Sequence, residues 1–222
     1  MSNYKVTVLG AGLAGCEAAL WLAGKGVQVE LYEQKPTHFS PAHKSEGFAE
    51  LICSNSLKAE RLDSASGLLK EEMRRMGSQL LNAAEVARVA AGGALAVDRE
   101  GFSAYITEKL RACKNIEVEE RELTDVPEGE TVIATGPLTS DAMAESIVKL
   151  CPEFDLHFYD AVAPIVTLES VDMENAYLAS RYGKGTADYV NCPMTKEEYE
   201  TFVTELRAAK EAPVHGFDDG AV

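Results

Sequence analysis

Two stretches of this chain carry residue types that can do chemistry. The first is Ile52-Cys53-Ser54-Asn55-Ser56, a thiol among small polar side chains. A thiolate is a usable nucleophile near neutral pH, where a hydroxyl without an activating base is not. Ser54, Asn55 and Ser56 can hydrogen-bond the polar edge of a ring system. The competing reading is loop capping for those three and burial as a small apolar side chain for Cys53. The polar flank argues against burial. The second stretch is Gly10-Ala11-Gly12-Leu13-Ala14-Gly15, followed by Ala19 and, 18 residues after Gly15, by Glu33.

Each position of that second pattern has a mechanical reason if the ligand is a dinucleotide. Gly10 turns the chain off a strand. Gly12 lacks a Cβ, so the backbone can approach a pyrophosphate. Gly15 and Ala19 let a helix lie close to the sheet. Glu33 ends a second strand, where it can accept hydrogen bonds from ribose hydroxyls. The alternative is a glycine-rich turn under a tightly packed helix.

These residues need elements to hold them. Apolar alternation predicts strands over 5–9 and 27–32, with a helix opening inside the glycine run, which is a βαβ start. The N-terminus of such a helix presents free N–H groups and partial positive charge to phosphates. Residues 34–57 show no steady period and contain Pro36, Pro41 and Gly47. A loop this long in a compact domain is usually functional, and it is read as an active-site loop. A helix is predicted over 65–87, interrupted at Gly77. Gly92 and Gly93 imply a turn or a close backbone approach to a ligand. Phe102, Tyr105, Ile106 and Leu110 mark a further helix, and strands are predicted over 116–120 and 131–135. The second of these is nearly all apolar and reads as a buried parallel strand. It runs into Thr135 and Gly136, a strand-to-glycine turn at which flavoproteins bring the chain near the flavin nucleotide. A helix is predicted over 139–150.

From about residue 156 the character changes. Pro164 suggests a strand edge, and Arg181 and Lys184 lie in a glycine-flexible turn. Thr195 and Glu198 form a capping box ahead of a helix with Tyr199, Phe202 and Leu206 on one stripe.

The chain has 222 residues, is 46% hydrophobic and carries a net charge of −15. That is enough for one large domain or one and a half. The acidic balance argues against broad nucleic-acid binding, which needs clustered cations, although Lys58–Arg75 holds a local concentration of Lys and Arg. The ordinary reading of that stretch is a solvated helix with ion pairs. Five cysteines without a CxxC pair, and four histidines without a ligand motif, predict reduced thiols in a cytoplasmic protein and no metal site. No signal peptide and no membrane-spanning run is expected. His38 and His43 have no obvious acidic partner. Cys16 is expected to be a packing residue.

Phe48-Ala49-Glu50-Leu51-Ile52-Cys53-Ser54-Asn55-Ser56-Leu57, Gly67-Leu68-Leu69-Lys70-Glu71-Glu72-Met73-Arg74, and Gly92-Gly93-Ala94-Leu95-Ala96-Val97-Asp98-Arg99 together resemble the folate- and FAD-dependent tRNA (uracil-5-)-methyltransferases of bacteria. Tyr159–Val166, Ser180–Gly185 and Asn191–Met194 extend the resemblance along essentially the whole chain. It implies an α/β fold: a Rossmann-like FAD-binding domain of the glutathione-reductase type (1–156) and the truncated start of an inserted substrate and tRNA domain (157–222). It also implies reductive methylation of uracil C5 in the tRNA T-loop, with methylenetetrahydrofolate as carbon donor and NAD(P)H as reductant.

Under the resemblance Cys53 is catalytic, either attacking the base or supporting the one-carbon unit at the flavin. Gly10, Ala11, Gly12, Leu13, Ala14, Gly15, Glu33, Ser54, Asn55, Ser56, Arg99, Thr135 and Gly136 are cofactor-binding. Arg99 would meet a phosphate or a folate carboxylate; its alternative is a surface ion pair. Arg181 and Lys184 are candidate tRNA phosphate contacts. The family enzyme is about twice this length, so the chain is expected to be an N-terminal fragment. The rival readings are a wobble-uridine enzyme of the glucose-inhibited division protein A type and an inactive dinucleotide-binding fragment.

Overall fold

A computed structural model describes residues 4–40, 42–150, 166–180, 183 and 185–210. Strand β1 (Lys5–Leu9) leads through the glycine run into helix α1 (Leu13–Gly24), which returns to strand β2 (Gln28–Tyr32). β1 and β2 pair in parallel, Val6 opposite Val29 and Val8 opposite Leu31, and all four side chains are buried. α1 turns Cys16, Ala19, Leu20 and Ala23 inward. Three of those are small, and this lets the helix axis sit close to the strands.

The chain continues through strand β3 (Ser56–Ala59), helices α2 (Ala65–Arg75) and α3 (Gln79–Val86), and strands β4 (Arg88–Val89) and β5 (Ala94–Val97). Helix α4 (Arg99–Ala112), strands β6 (Ile116–Glu119) and β7 (Thr131–Ile133) and helix α5 (Asp141–Leu150) follow. The main sheet is parallel with the order β6-β2-β1-β7, and an antiparallel sheet has the order β3-β5-β4. This is the parallel α/β arrangement the βαβ start predicts. Phe102, Ile106 and Leu110 of α4 are buried with Phe48, Leu95 and Val97 in the same core as β1, β2 and α1.

The structure corrects several element predictions. The helix expected over 65–87 is two helices. Gly77 adopts φ +82°, which ends α2, and Ser78 starts α3 by accepting from the Leu81 N–H. Glu17 of α1 completes that start, its carboxylate accepting from Ser78 Oγ at 2.7 Å, Gln79 N at 3.0 Å and Leu80 N at 2.9 Å. A carboxylate at a helix N-terminus satisfies otherwise orphan donors and complements the helix dipole. β7 is parallel but lies at the edge of the described sheet, with Ile133 exposed, so it is not the buried strand expected. Its apolar composition reports one packed face, not two.

The cations of Lys58–Arg75 are mostly paired. Arg61 meets Asp63, Arg75 meets Glu71, and Arg74 meets Glu60 and Glu85. Lys70 is buried and donates to the carbonyls of Ala59 and Ser66. The ordinary reading, a solvated helix with intrahelical ion pairs, holds for Arg75 with Glu71; Arg74 pairs outside α2, and the buried Lys70 departs from it. Away from its inward face, α1 forms an apolar groove of about 740 Å³ with Trp21, Met73, Met76, Leu80 and Val132. Among the described residues, no helix is long and apolar enough to cross a membrane.

The described residues fall into two compact units, and the second gathers Ala90–Gly93 together with the chain beyond residue 162. In that unit strand β8 (Tyr177–Ala179) pairs antiparallel with strand β9 (Tyr189–Asn191). Helix α6 (Lys196–Ala208) opens on the capping box predicted at Thr195 and Glu198. The Gly92 N–H donates to Asp188 at 2.6 Å and Tyr189 Oη donates to the Ala91 carbonyl at 2.8 Å. Gly92 and Gly93 thus form a turn held by protein groups of the second unit. Of the two readings of the glycine pair, a turn or a close approach to a ligand, the structure shows the turn. The predicted strand edge at Pro164, Cys151, and the proposed phosphate contacts Arg181 and Lys184 lie outside the described residues.

A methyl group on Gly15 would stand 1.8 Å from the Gly10 carbonyl oxygen, whereas one on Gly24 would meet nothing within 4 Å. Gly15→Ala should therefore cost at least ~2 kcal/mol as an overpacking change, while Gly24→Ala, within the same helix, should be neutral or stabilise by ~0.5–1 kcal/mol. Chemical denaturation of both variants beside the parent chain checks the contrast.

Candidate functional site

A cleft of about 610 Å³ opens where β1, β2 and β7 end, within the first unit. Its floor is the glycine run. Gly10 adopts φ +91°, and a Cβ there would lie 2.8 Å from the Ala134 carbonyl oxygen. Only glycine allows the exits of β1 and β7 to meet this closely. Gly12, Leu13 and Ala14 face the cleft. No side chain caps α1 at Gly12, and no acidic residue occupies its first turn. Its N-terminal amides are thus left for a ligand. A Cβ on Gly12 would meet no protein atom within 4 Å. The absence of a side chain there serves nothing in the protein's own packing and leaves the turn bare toward the cleft.

Glu33, directly after β2, is buried and also borders the cleft. Its carboxylate accepts from the Ala11 N–H at 2.8 Å and the Lys35 N–H at 3.1 Å. It therefore fixes the glycine turn against the end of β2. Tyr32 and Arg121, stacked with the guanidinium 5.0 Å from the ring centre, border the same end. Thr135 and Gly136 form the opposite lip, and Thr139 Oγ1 donates to the Gly136 carbonyl at 2.6 Å.

The wall between these ends is the 43–58 stretch. Cys53 is exposed and borders the cleft, as do Ser54 and Ser56. Ser54 Oγ also accepts from the Ser56 N–H, so the loop-capping role exists beside any ligand contact. Four of the residues assigned to the cofactor do not line the cleft. Ala11 lies behind the turn and its N–H is taken by Glu33. Asn55 is tied to β5, its Nδ2 donating to the Val97 carbonyl at 3.1 Å. Arg99 opens α4 behind its N-cap Asp98, and is absent from the cleft walls. Gly15 is likewise a packing residue, not a lining one.

Sequence reasoning found no obvious acidic partner for His38 or His43, and the structure corrects this for His38. His38 Nδ1 lies 3.5 Å from Glu122, and His43 Nδ1 lies 2.9 Å from Ser40 Oγ at the cleft margin. Burial and the nearby Lys35 charge hold the His43 imidazole below its ordinary value. Also missed were Lys35 and Glu50, charged residues in an aperiodic stretch, where no pattern signals burial. Among the described residues no group of His, Cys, Asp and Glu is arranged to hold a metal.

The sequence comparisons place the chain in a family. Residues 5–221 match the family described as Glucose inhibited division protein A. The chain belongs to that family. Among its curated relatives are the methylenetetrahydrofolate–tRNA-(uracil-5-)-methyltransferases TrmFO of Lactobacillus delbrueckii subsp. bulgaricus, 54% identical over 219 residues, and of Acetivibrio thermocellus, 55% identical over 219 residues. Both alignments cover 98% of this chain and 50% of the relative. The chain thus spans about half the length of the curated relatives it matches. Solved structures resemble it more loosely. GidA of Aquifex aeolicus gives a TM-score of 0.46 at 17% identity over 57% of this chain and 21% of that one. The GidA-related protein of Thermus thermophilus gives 0.41 at 16% identity over 68% of this chain and 69% of that one.

The thiols separate by environment. Cys16 is fully buried, its Sγ donates to the Ala11 carbonyl at 3.1 Å, and burial pushes its pKa up to about 12. Cys53 and Cys192 are exposed. Alkylation of the native chain at pH ~8, just below the ordinary thiol pKa, followed by peptide mass analysis should label Cys53 and Cys192 and leave Cys16 untouched. Because the folded pKa is raised above that of a free thiol, the stability linked to Cys16 is fully present below pH ~9 and is lost as pH climbs toward about 12. Labelling of Cys16 in the folded chain under those mild conditions would contradict its placement.

Proposed function

We propose that this chain supplies the FAD-binding cleft and the thiol of a folate-dependent tRNA (uracil-5-)-methyltransferase. The observation that carries the reading is the position of Cys53 on the cleft wall in a chain 54% identical to curated methyltransferases along nearly its whole length. The broader family includes proteins described as glucose inhibited division protein A. The identity to the methyltransferases favours that activity over wobble-uridine modification.

The residues present fit the flavin dinucleotide. The open amides of α1 suit a pyrophosphate, the bare Gly12 lets it approach, and Glu33 keeps lone pairs for ribose hydroxyls beyond the end of β2. A cleft of this volume is within the usual range for cofactor sites, about 300–1,000 Å³. When bound, FAD supplies redox chemistry between a reduced nicotinamide and the one-carbon unit.

The chain's own part is position and a nucleophile. C5 of uracil is made nucleophilic by thiolate addition at C6: the thiol first loses its proton to solvent, the sulfur–C6 bond then forms, and the C5–C6 π pair becomes an enolate shared by C5 and O4. Both roles open to Cys53, attack on the base and support of the one-carbon unit, need an accessible thiol on this wall. The tRNA substrate, methylenetetrahydrofolate and NAD(P)H are proposed on the strength of the curated relatives' names and the flavin chemistry together.

Two variants made in the polypeptide at its full natural length test the reading. Gly12→Val, whose side chain enters open space, should fold and melt within about 5 °C of flavin-free wild type, yet purify without flavin. Undiminished flavin in that variant would remove the cofactor assignment. Cys53→Ser should keep its flavin while transfer of labelled one-carbon units to unmodified tRNA falls by ~100-fold or more. Wild-type turnover by Cys53→Ser would reduce Cys53 to a surface thiol.

A further inference from the structure

Among its described residues, the cleft wall that carries Cys53 has no regular secondary structure between residues 33 and 55. Something other than a hydrogen-bonded ladder must therefore hold it in place. Two of its residues, Phe48 and Ala49, are buried and tied directly: the Ala49 N–H donates to the Ala11 carbonyl at 2.8 Å, the Phe48 N–H donates to Thr107 Oγ1 at 2.8 Å, and Ser103 Oγ donates to the Phe48 carbonyl at 2.6 Å. Those bonds do not reach the residues on either side.

The flanks are gathered by one buried ammonium. Lys35 is 2% exposed. Its Nζ donates to the Gly47 carbonyl at 2.6 Å, the Ser45 carbonyl at 3.0 Å and Glu50 Oε2 at 3.1 Å. Those three bonds use all the donors an ammonium has. The other Glu50 oxygen accepts from the Lys44 N–H at 2.9 Å and the Ser45 N–H at 3.1 Å. The backbone of Lys35 is held in turn by Glu33, whose second oxygen holds the Ala11 N–H of the nucleotide turn. A continuous set of charge-assisted bonds thus runs from the glycine turn through Glu33, Lys35 and Glu50 to the segment that leads into Cys53. A buried charge is tolerated only when paired and fully hydrogen-bonded, and every donor here is directed to the 44–50 backbone or to Glu50. Glu50 itself borders the cleft.

We propose that Lys35 and Glu50 are positioning residues: their buried ion pair shapes the wall between the nucleotide turn and Cys53, so that the cleft is formed before its cofactor arrives. The proposal rests on the FAD reading for the identity of that cofactor, but the ordering of the wall is a property of the chain alone. With the wall preformed, binding does not have to order it.

Backbone hydrogen exchange and FAD titration on wild type, Lys35→Met, Lys35→Arg and Glu50→Gln test this, the titration being made in the polypeptide at its full natural length. In the flavin-free state, Lys35→Met should raise exchange of peptides spanning 43–53 by ~10-fold or more, with β1 and α4 unchanged. Glu50→Gln, which keeps the side-chain volume and the two carbonyl contacts of Lys35, should raise it by less. Lys35→Arg, which keeps the charge and the donors, should restore most of the protection. FAD should bind Lys35→Met ~10-fold or more weakly, with recovery in Lys35→Arg. If Lys35→Met fails to fold, Glu50→Gln carries the comparison. Unchanged exchange over 43–53 in both neutralising variants would show the pair to be idle. A loosened wall with wild-type FAD affinity would show that the wall does not position the cofactor. A wild-type protein that does not take up FAD would remove the flavin reading, and the exchange data would still judge the ion pair.

Discussion

The hydrogen bond from the Ala11 N–H to the buried Glu33 carboxylate ties together the ends of the two central strands. β1 and β2 are already in parallel register, but a sheet alone does not say what the chain does after it leaves the strands. With this bond made, the turn at Gly10–Gly12 is set against the end of β2, α1 starts from a defined point, and the first-turn amides face one direction. The bond is available because β2 runs into an acid at the height where the glycine turn has an unpaired donor. A buried acceptor of this kind is costly to leave unmatched, and a second donor from the Lys35 backbone completes it. The lower part of the cleft follows from this arrangement.

Much of this was legible in the sequence, and the legible part shares one property. The βαβ start, the glycine run, Glu33 and the Thr195–Glu198 capping box all have signals confined to a few residues or to one period, so their meaning does not depend on distant chain. What the sequence hid depends on partners far away. Gly77 read as an interruption in one helix, but whether a second helix starts after it is decided by Ser78 and by Glu17, which is 61 residues away from Ser78. β7 looked buried because Val132 and Ile133 are apolar, and composition does not distinguish an edge from an interior strand. Lys70 lay in a stretch that read as a solvated helix, and nothing in the aperiodic stretch around Lys35 and Glu50 signalled burial. Their burial is set by carbonyls that only the folded chain brings together. Asn55 and Arg99 sit in suggestive motifs but serve β5 and the start of α4, which motif adjacency cannot reveal.

Charge is used in two different ways on this molecule. Glu60, Arg74, Glu85 and Arg88 form a partly exposed network beside β4, and the Arg88 guanidinium holds the Glu60 carboxyl below its ordinary value. Solvent and salt screen such pairs, and each contributes little to stability. The Lys35–Glu50 pair is of the other kind, with Lys35 buried, Glu50 mostly covered and both committed to backbone groups, so it determines conformation more than it adds stability. The net charge of −15 says nothing of this distinction, because it sums both kinds into one number.

The short link Ala90–Gly93 runs between two strands of the first unit yet takes its hydrogen bonds from Asp188 and Tyr189. The two units are therefore not separable modules joined by a single tether. Deleting everything after α5 would leave this link with its φ +58° glycine and without those two partners for its turn. Excising the link instead would break the β4–β5 hairpin of the first unit. A gene rearrangement that shuffles one unit into a new protein must carry that short piece of the other with it. The coupling is one of chain topology, independent of whatever chemistry each unit performs.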